Sequence, residues 1–173
     1  LTITPANLSI TGTKTYDGTT NFATGTLATA GAVNGETITL TAGNGTTTSA
    51  NAATYAGSTL TGLVMSVSGG NALASNYALP GTGDLTITPA NLSIAGTKTY
   101  DGTAQFNAGA LSVTGLIGSD AIGTATALSQ NVIDNGSNYF TNFTLSTGSA
   151  ANYQLASAGV NNDAQITPAN LSI

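Results

Sequence analysis

The 173-residue chain has no cysteine, no histidine, no tryptophan and no arginine. The missing cysteine excludes disulfides and thiolate metal sites, though it leaves the compartment open. Without histidine or cysteine there is no ordinary general base, no thiol nucleophile and no Ser-His-Asp arrangement, so an enzyme is not expected. The only cations are Lys14 and Lys98, against seven Asp and Glu, for a formal net charge of −5. Phosphate backbones and anionic membrane surfaces are gripped by clusters of Lys and Arg, so neither nucleic acid nor a membrane surface is an expected partner. No apolar run approaches the roughly 18 residues of a membrane span, and no cofactor motif is present.

In place of charge stand 32 Thr, 22 Gly, 17 Asn and 15 Ser, while charged residues make up only 5% of the chain. An ordinary soluble domain carries about 25%. Aliphatic residues alternating with dense hydroxyls point to strands with Thr-covered outer faces. The apolar fraction of 40% is ordinary but rich in Ala, so any core must be built from few large side chains.

The chain is organised by repetition. Residues 3–19 read ITPANLSITGTKTYDGT and residues 87–103 read ITPANLSIAGTKTYDGT, and ITPANLSI returns at residues 166–173. Repetition on this scale implies tandem folded units near the lower end of independent domain size. At each ITPANLSI the apolar residues change parity. Leu85 and Ile87 are odd, Leu92 and Ile94 even, with Pro89 between them. Because strand side chains alternate with period two, the change marks two strands and not one. The expected division is residues 1–4 as the closing strand of a preceding repeat, 5–88 as repeat 1, 89–167 as repeat 2, and 168–173 as the opening strand of a following repeat. The joints at Pro5, Pro89 and Pro168 are then about two residues long and stiff, and the chain reads as a piece of a longer array.

Asp17-Gly18 and Asp101-Gly102 are expected to close hairpins, since both turn positions tolerate positive φ. Residues 43–53 are expected to form an exposed loop, with the five-residue length difference between repeats lying from there to Asn76. Residues 63–67 and 140–145 read as equivalent strands. With six to eight short strands per repeat and no helical period, the expected fold is all-β, with two layers of antiparallel strands in each repeat: two tandem immunoglobulin-like β-sandwich domains in an elongated end-to-end array. A β-solenoid is the rival, but no sub-period of 20 or so residues is found.

The constellation Ile-Thr-Pro-Ala-x-Leu-x-Ile, Lys-x-Tyr-Asp-Gly-Thr and a closing Asn-Tyr-x-Leu resembles the YDG-type repeats of large secreted bacterial adhesins, which are filamentous-haemagglutinin-like and exported by two-partner secretion. The motif falls on Lys14, Tyr16, Asp17 and Gly18, and on Lys98, Tyr100, Asp101 and Gly102. The resemblance implies an extracellular or cell-surface stalk or adhesive array. Its partners would be neighbouring repeats of the same chain, with host glycan or matrix protein as the alternative, and it carries over no catalytic residue. A monomer is expected.

Every charge except Asp134 sits at a position shared by both repeats: Lys14/Lys98, Asp17/Asp101, Glu36/Asp120 and Asp84/Asp163. One functional reading is an intramolecular isopeptide bond, in which a neutral Lys amine attacks an Asn or Asp side chain. The candidate partners are Asn76 or Asp84 for Lys14, and Asn152 or Asp163 for Lys98. Shared descent, with Asp17 as a turn residue, is the plainer explanation. A second reading places Ca²⁺ at the joint on Asp84 with Asp101 or Asn91, although no closely spaced run of Asp supports it. Tyr16/Tyr100 and Tyr77/Tyr153 could stack on a ligand, but core packing or a corner hydroxyl is the preferred reading.

Overall fold

The structure is a computed structural model and describes residues 2–70, 73–159 and 161–171. Alternation decides what each strand buries. In β2 (Ser9–Thr15) the even residues Ile10, Gly12 and Lys14 turn inward while Ser9, Thr11, Thr13 and Thr15 face solvent. The equivalent β9 (Ala90–Thr99) buries Ala90, Leu92 and Ile94 and carries Lys98 on the same face. All elements are strands or three-residue 3-10 turns, so the chain is all-β as its composition predicts.

The chain divides into two compact units, Leu1–Thr88 and Pro89–Ile173. The first holds β1 (Ala6–Asn7), β2, β3 (Asn21–Ala23), β4 (Leu27–Ala30), β5 (Thr37–Thr46), β6 (Ala53–Ser68), β7 (Tyr77–Ala78) and β8 (Thr82–Thr88). Six of these form one sheet in the order β3-β5-β6-β8-β2-β4, and β1 pairs with β7 beside it. The sheet curls on itself. A Cβ on Gly12 in β2 would lie 3.1 Å from Phe22 of edge strand β3 and 2.9 Å from Leu27 of the opposite edge strand β4. The turn Thr24–Thr26 joins these edges, and Ile10, Phe22, Leu60, Leu85 and Ile87 fill the space enclosed.

The second unit holds β9, β10 (Gln105–Asn107), β11 (Leu111–Thr114), β12 (Ala121–Ala127), β13 (Phe140–Thr147), β14 (Tyr153–Leu155) and β15 (Asn162–Thr167). Here the strands form two sheets, β10-β12-β13 and β11-β9 with β14 and β15 both on β9. The core of Ile94, Phe106, Ala125, Ala127, Phe140, Ala164 and Ile166 draws on both sheets.

Three expectations are corrected. Asp17-Gly18 does not close a hairpin, because β2 pairs with β4 and β8 while β3 pairs with β5. The turn carries the chain across to the far edge of the sheet, and in unit 2 Asp101-Gly102 carries it from one sheet to the other. Positive φ is still required there, with Gly18 at 77° and Gly102 at 80°. The pairing is also not wholly antiparallel: opening and closing strands run parallel, β2 with β8 and β9 with β15. Finally, residues 43–46 belong to β5 and Thr47 is buried, so the exposed connection is shorter than residues 43–53.

The length difference is likewise spread more widely than expected. Phe22 and Phe106 are 84 positions apart, but their strand partners Gly45 and Ala125 are 80 apart. Shortening therefore already lies within β12. Asn76 and Asn152 are 76 apart, and Asp84 and Asp163 are 79 apart, so three residues return just before the closing strand.

β8 ends at Thr88 and β9 begins at Ala90, leaving Pro89 alone between them. Residues 2–5 and 168–171 lie in no strand. Ile3 is 89% exposed and Leu171 95% exposed, whereas Leu8 and Leu92, at the positions matching Leu171, are buried.

Candidate functional site

Two of the shared charges meet in one arrangement in each repeat, Lys14 with Asp17 and Lys98 with Asp101. Lys14 sits on the inward parity of β2 immediately before the Asp17-Gly18 turn, so its ammonium meets the turn from inside. Lys14 Nζ donates to Asp17 Oδ1 at 2.8 Å, to Thr19 O and Thr19 Oγ1 at 2.8 Å, and to Asn21 O at 2.9 Å. It also lies 5.1 Å from the centre of the Phe22 ring, within range of a cation–π attraction. Asp17 in turn accepts from Thr19 N and Thr19 Oγ1.

Repeat 2 rebuilds this cage. Lys98 Nζ donates to Asp101 Oδ1 at 2.7 Å and to Thr103 Oγ1 and Gln105 O at 2.8 Å, and it lies 5.1 Å from the Phe106 ring. The lysine side chains are 8% and 10% exposed while their aspartates are half exposed, so the cation is the buried partner. An ammonium has three protons to donate, and the cage oxygens occupy them.

Burial pushes the Asp17 carboxyl up, but hydrogen bonds from Lys14 and Thr19 outweigh it and hold it below the usual 3.8. At Asp101 the hydrogen bond from Lys98, followed by those from Thr103, lowers the carboxyl to about 2.

A second device closes each repeat. The buried Tyr77 donates its hydroxyl to Glu36 Oε2 at 2.5 Å and accepts from Val33 N at 3.1 Å. Tyr153 donates to Asp120 Oδ2 at 2.6 Å and accepts from Ile117 N at 3.0 Å. The Glu36 carboxylate raises the Tyr77 phenol above its ordinary value of 10. These tyrosines are core residues with a corner hydroxyl. Tyr16 packs partly buried against the unit 1 core, whereas Tyr100 is 41% exposed.

The structure does not bring either lysine to the crosslink partners expected for it. The hydrogen-bond partners of the Lys14 ammonium lie within seven residues of it in the chain, and Asn76 and Asp84 are not among them. Asp84 instead accepts from Gly57 N, and Asn76 is exposed in the turn Ala74–Asn76. Lys98 is likewise apart from Asn152, which is buried in the turn Ala150–Asn152, and from Asp163, which accepts from Gln165 Nε2. The physical reason is the inward parity of the lysine, which delivers the amine to the neighbouring turn as a charged donor; an isopeptide requires a neutral amine against a carbonyl carbon.

The calcium candidates are separately engaged. Asp101 holds Lys98, Asn91 Oδ1 accepts from Gln154 Nε2 at 2.6 Å, and Asp84 caps Gly57. Among the described residues no group of three or more Asp, Glu, His or Cys could hold a metal ion.

Sequence reasoning missed two sets of residues. Gly12 and Gly96 occupy inward strand positions, where a Cβ would stand 3.1 and 3.0 Å from the rings of Phe22 and Phe106. A glycine on the buried parity of an otherwise alternating strand was the available signal. The second set, Asn135, Asn138 and Asn162, had no signal, because the sequence is rich in Asn throughout. Asn162 Oδ1 accepts from Phe140 N at 2.8 Å and its Nδ2 donates to Phe140 O at 2.9 Å. Asn135 does the same for Ile166, accepting from its N–H at 2.9 Å and donating to its carbonyl at 2.8 Å.

The arrangement in each repeat is thus a strand end pinned to a turn by a buried ammonium, with a phenol tying the closing segment to a loop carboxylate. This is the signature of a repeated structural module. The YDG domain model matches residues 1–85 and again residues 82–161. The chain belongs to the YDG domain family and carries the domain twice in tandem. No curated protein and no solved structure matches it.

Proposed function

We propose that the chain is a pair of structural spacer repeats from a secreted or surface-anchored bacterial adhesin. Each repeat is an immunoglobulin-like sandwich, and copies strung end to end through Pro-bearing joints hold a distal binding region away from the cell. The chain is an extracellular monomer with no catalytic role.

The observation that carries this reading is the use to which the shared charges are put. Lys14, Lys98, Asp17, Asp101, Glu36 and Asp120 are all engaged inside their own repeat, tying strands to turns. Groups tied down in this way serve the integrity of a module that is copied, and the family match in two successive copies suits the same purpose. Small-angle scattering of the chain tests the proposal. The expected profile is that of a rod about two domains long, and a globular pair lying side by side overturns it.

A second reading is that the repeats bind host glycan or matrix protein directly. Binding would be through their loops, and the reading is favoured by a hollow of ≈ 580 Å³ in repeat 1, lined by Thr46, Thr47, Thr48, Tyr55, Ser58 and Thr59. Hydroxyls beside an aromatic ring suit a sugar. Binding on a glycan array that disappears in Tyr55→Ala separates this reading from the spacer.

A further inference from the structure

We infer that each repeat is a force-bearing clamp whose opening and closing strands are loaded in shear, with the lysine cage as the anchor of the opening strand. The inference deepens the spacer reading and rests on it for its purpose, but its geometry is internal to each repeat. Tension along the chain enters repeat 1 through β1, which pairs with β7, passes to the N-terminal end of β2 and leaves at the C-terminal end of β8. These strands are parallel neighbours, with Thr11, Gly12, Thr13, Lys14 and Thr15 beside Asp84, Leu85, Thr86, Ile87 and Thr88. Pulling the start of one strand against the end of its parallel neighbour drives them past each other along their length. Every bond of the ladder is then strained together, and none can open ahead of the rest. Repeat 2 has the same geometry between β9 and β15, from Ile94 beside Asn162 to Thr99 beside Thr167. In both repeats the ladder extends one step further, Tyr16 N–H to Thr88 O and Tyr100 N–H to Thr167 O, each at 2.8 Å.

The cage lies at the end of this ladder. Lys14 is on the loaded strand, and its oxygen partners Thr19 and Asn21 lie beyond the turn, on or beside β3. For β2 to slide toward its own N-terminus, the ammonium, whose side chain is 8% exposed, must be drawn away from the carbonyl, hydroxyl and carboxylate oxygens of the turn. Hydrogen bonds to a charged group contribute more than those between neutral groups. The same holds for Lys98 with Thr103 and Gln105. The Lys-x-Tyr-Asp-Gly-Thr motif is then the stop that keeps the opening strand in register under load.

Single-molecule pulling on the full chain tests this, because rupture under force reports the unfolding barrier. The chain has no cysteine, so introduced thiols are unique handles. With handles at the two chain ends, two high-force ruptures are expected, one per repeat. With handles at Ser9→Cys and Thr82→Cys, at the same end of the parallel pair, the ladder of repeat 1 peels open one bond at a time and the rupture force falls several-fold. Equal forces in the two geometries overturn the clamp and leave the scattering test of the spacer untouched. In the end-to-end geometry, a disulfide between Thr13→Cys and Thr86→Cys removes one of the two ruptures, which returns on reduction; persistence of both also overturns the proposal. Lys14→Met with Lys98→Met lowers both rupture forces, and unchanged forces in the folded variant would remove the cage from the mechanism.

Discussion

In repeat 1 the closing strand β8 lies between two backbone ladders, β2 on one side and β6 on the other. In repeat 2 the closing strand β15 keeps its ladder with β9, but no strand pairs with its other edge among the described residues. Where Ile87 pairs with Ala53, the matching Ile166 exchanges both bonds with the side-chain amide of Asn135. Where Leu85 pairs with Tyr55, the matching Ala164 donates to the carbonyl of Asn138. Where repeat 1 has Gly83, repeat 2 has Asn162, whose amide bonds both backbone groups of Phe140. A carboxamide carries the same donor and acceptor as a peptide group, so it can stand in for one residue of a strand. The family module can therefore lose a length of strand without leaving a buried edge unsatisfied.

The cores differ in the same compensating manner. The large Leu85 of repeat 1 becomes Ala164 in repeat 2, and Gly45 becomes Ala125. The volume is restored by Phe140, whose ring meets Phe106 edge-on at 5.0 Å. A large side chain lost at one position is matched by one gained at another, the kind of exchange packed interiors tolerate best.

The largest effect that would break this comparison is expected from Phe140→Ala. It removes the compensating ring, with Ala164 too small to collapse into the space, and should cost about 3–5 kcal/mol. Hydrogen exchange read on peptides of each repeat should place the loss in repeat 2 and leave repeat 1 protected; equal loss in both would mean that the cores are not separate. A smaller effect is expected from Asn162→Ala, which orphans the Phe140 N–H at a cost of about 1–3 kcal/mol. The same measurement should show β13 and β15 opening together, and unchanged protection at Phe140 would show that water replaces the amide.

The smallest effect, and the one that sharpens the likeness of the two cages, is acid titration. A carboxyl lowered in the folded state contributes stability that is present above its unfolded value and lost as pH falls through the folded one. For Asp101 that window runs from the ordinary 3.8 down to about 2. At Asp17 burial opposes the lowering but is outweighed by hydrogen bonds from Lys14 and Thr19, so both carboxyls should protonate below the ordinary 3.8. Carboxyl carbon shifts across the acid range measure both, and either carboxyl titrating above 3.8 would contradict the assignment.

Much of the architecture was legible before any coordinates. The parity change around Pro89 predicted two strands, and Leu85, Ile87, Leu92 and Ile94 are all buried on either side of it. The absence of helical period predicted an all-β chain. The candidate site was legible only as a list of coincident charges. Asn76 and Asp84 stood as crosslink candidates for Lys14 because strand alternation alone leaves a lysine free to face any other strand. Its short-range cage depends on the turn swinging Thr19 and Asn21 back beneath β2, and no pattern of residue types encodes that path. The hairpin expected at Asp17-Gly18 failed for the same reason: a turn signal states that the chain reverses, not which strand it then joins.

The sequence by itself determined the period of the module, the strand character of its segments and the face each strand buries, since these follow from side-chain alternation and from two nearly identical copies. Only the tertiary structure decided the parallel pairing of first and last strands, the ammonium cages and the carboxamides that replace a strand in repeat 2. Those depend on which backbone groups are left unpaired once the sheet has closed, a quantity that exists only when residues distant in the chain are brought together.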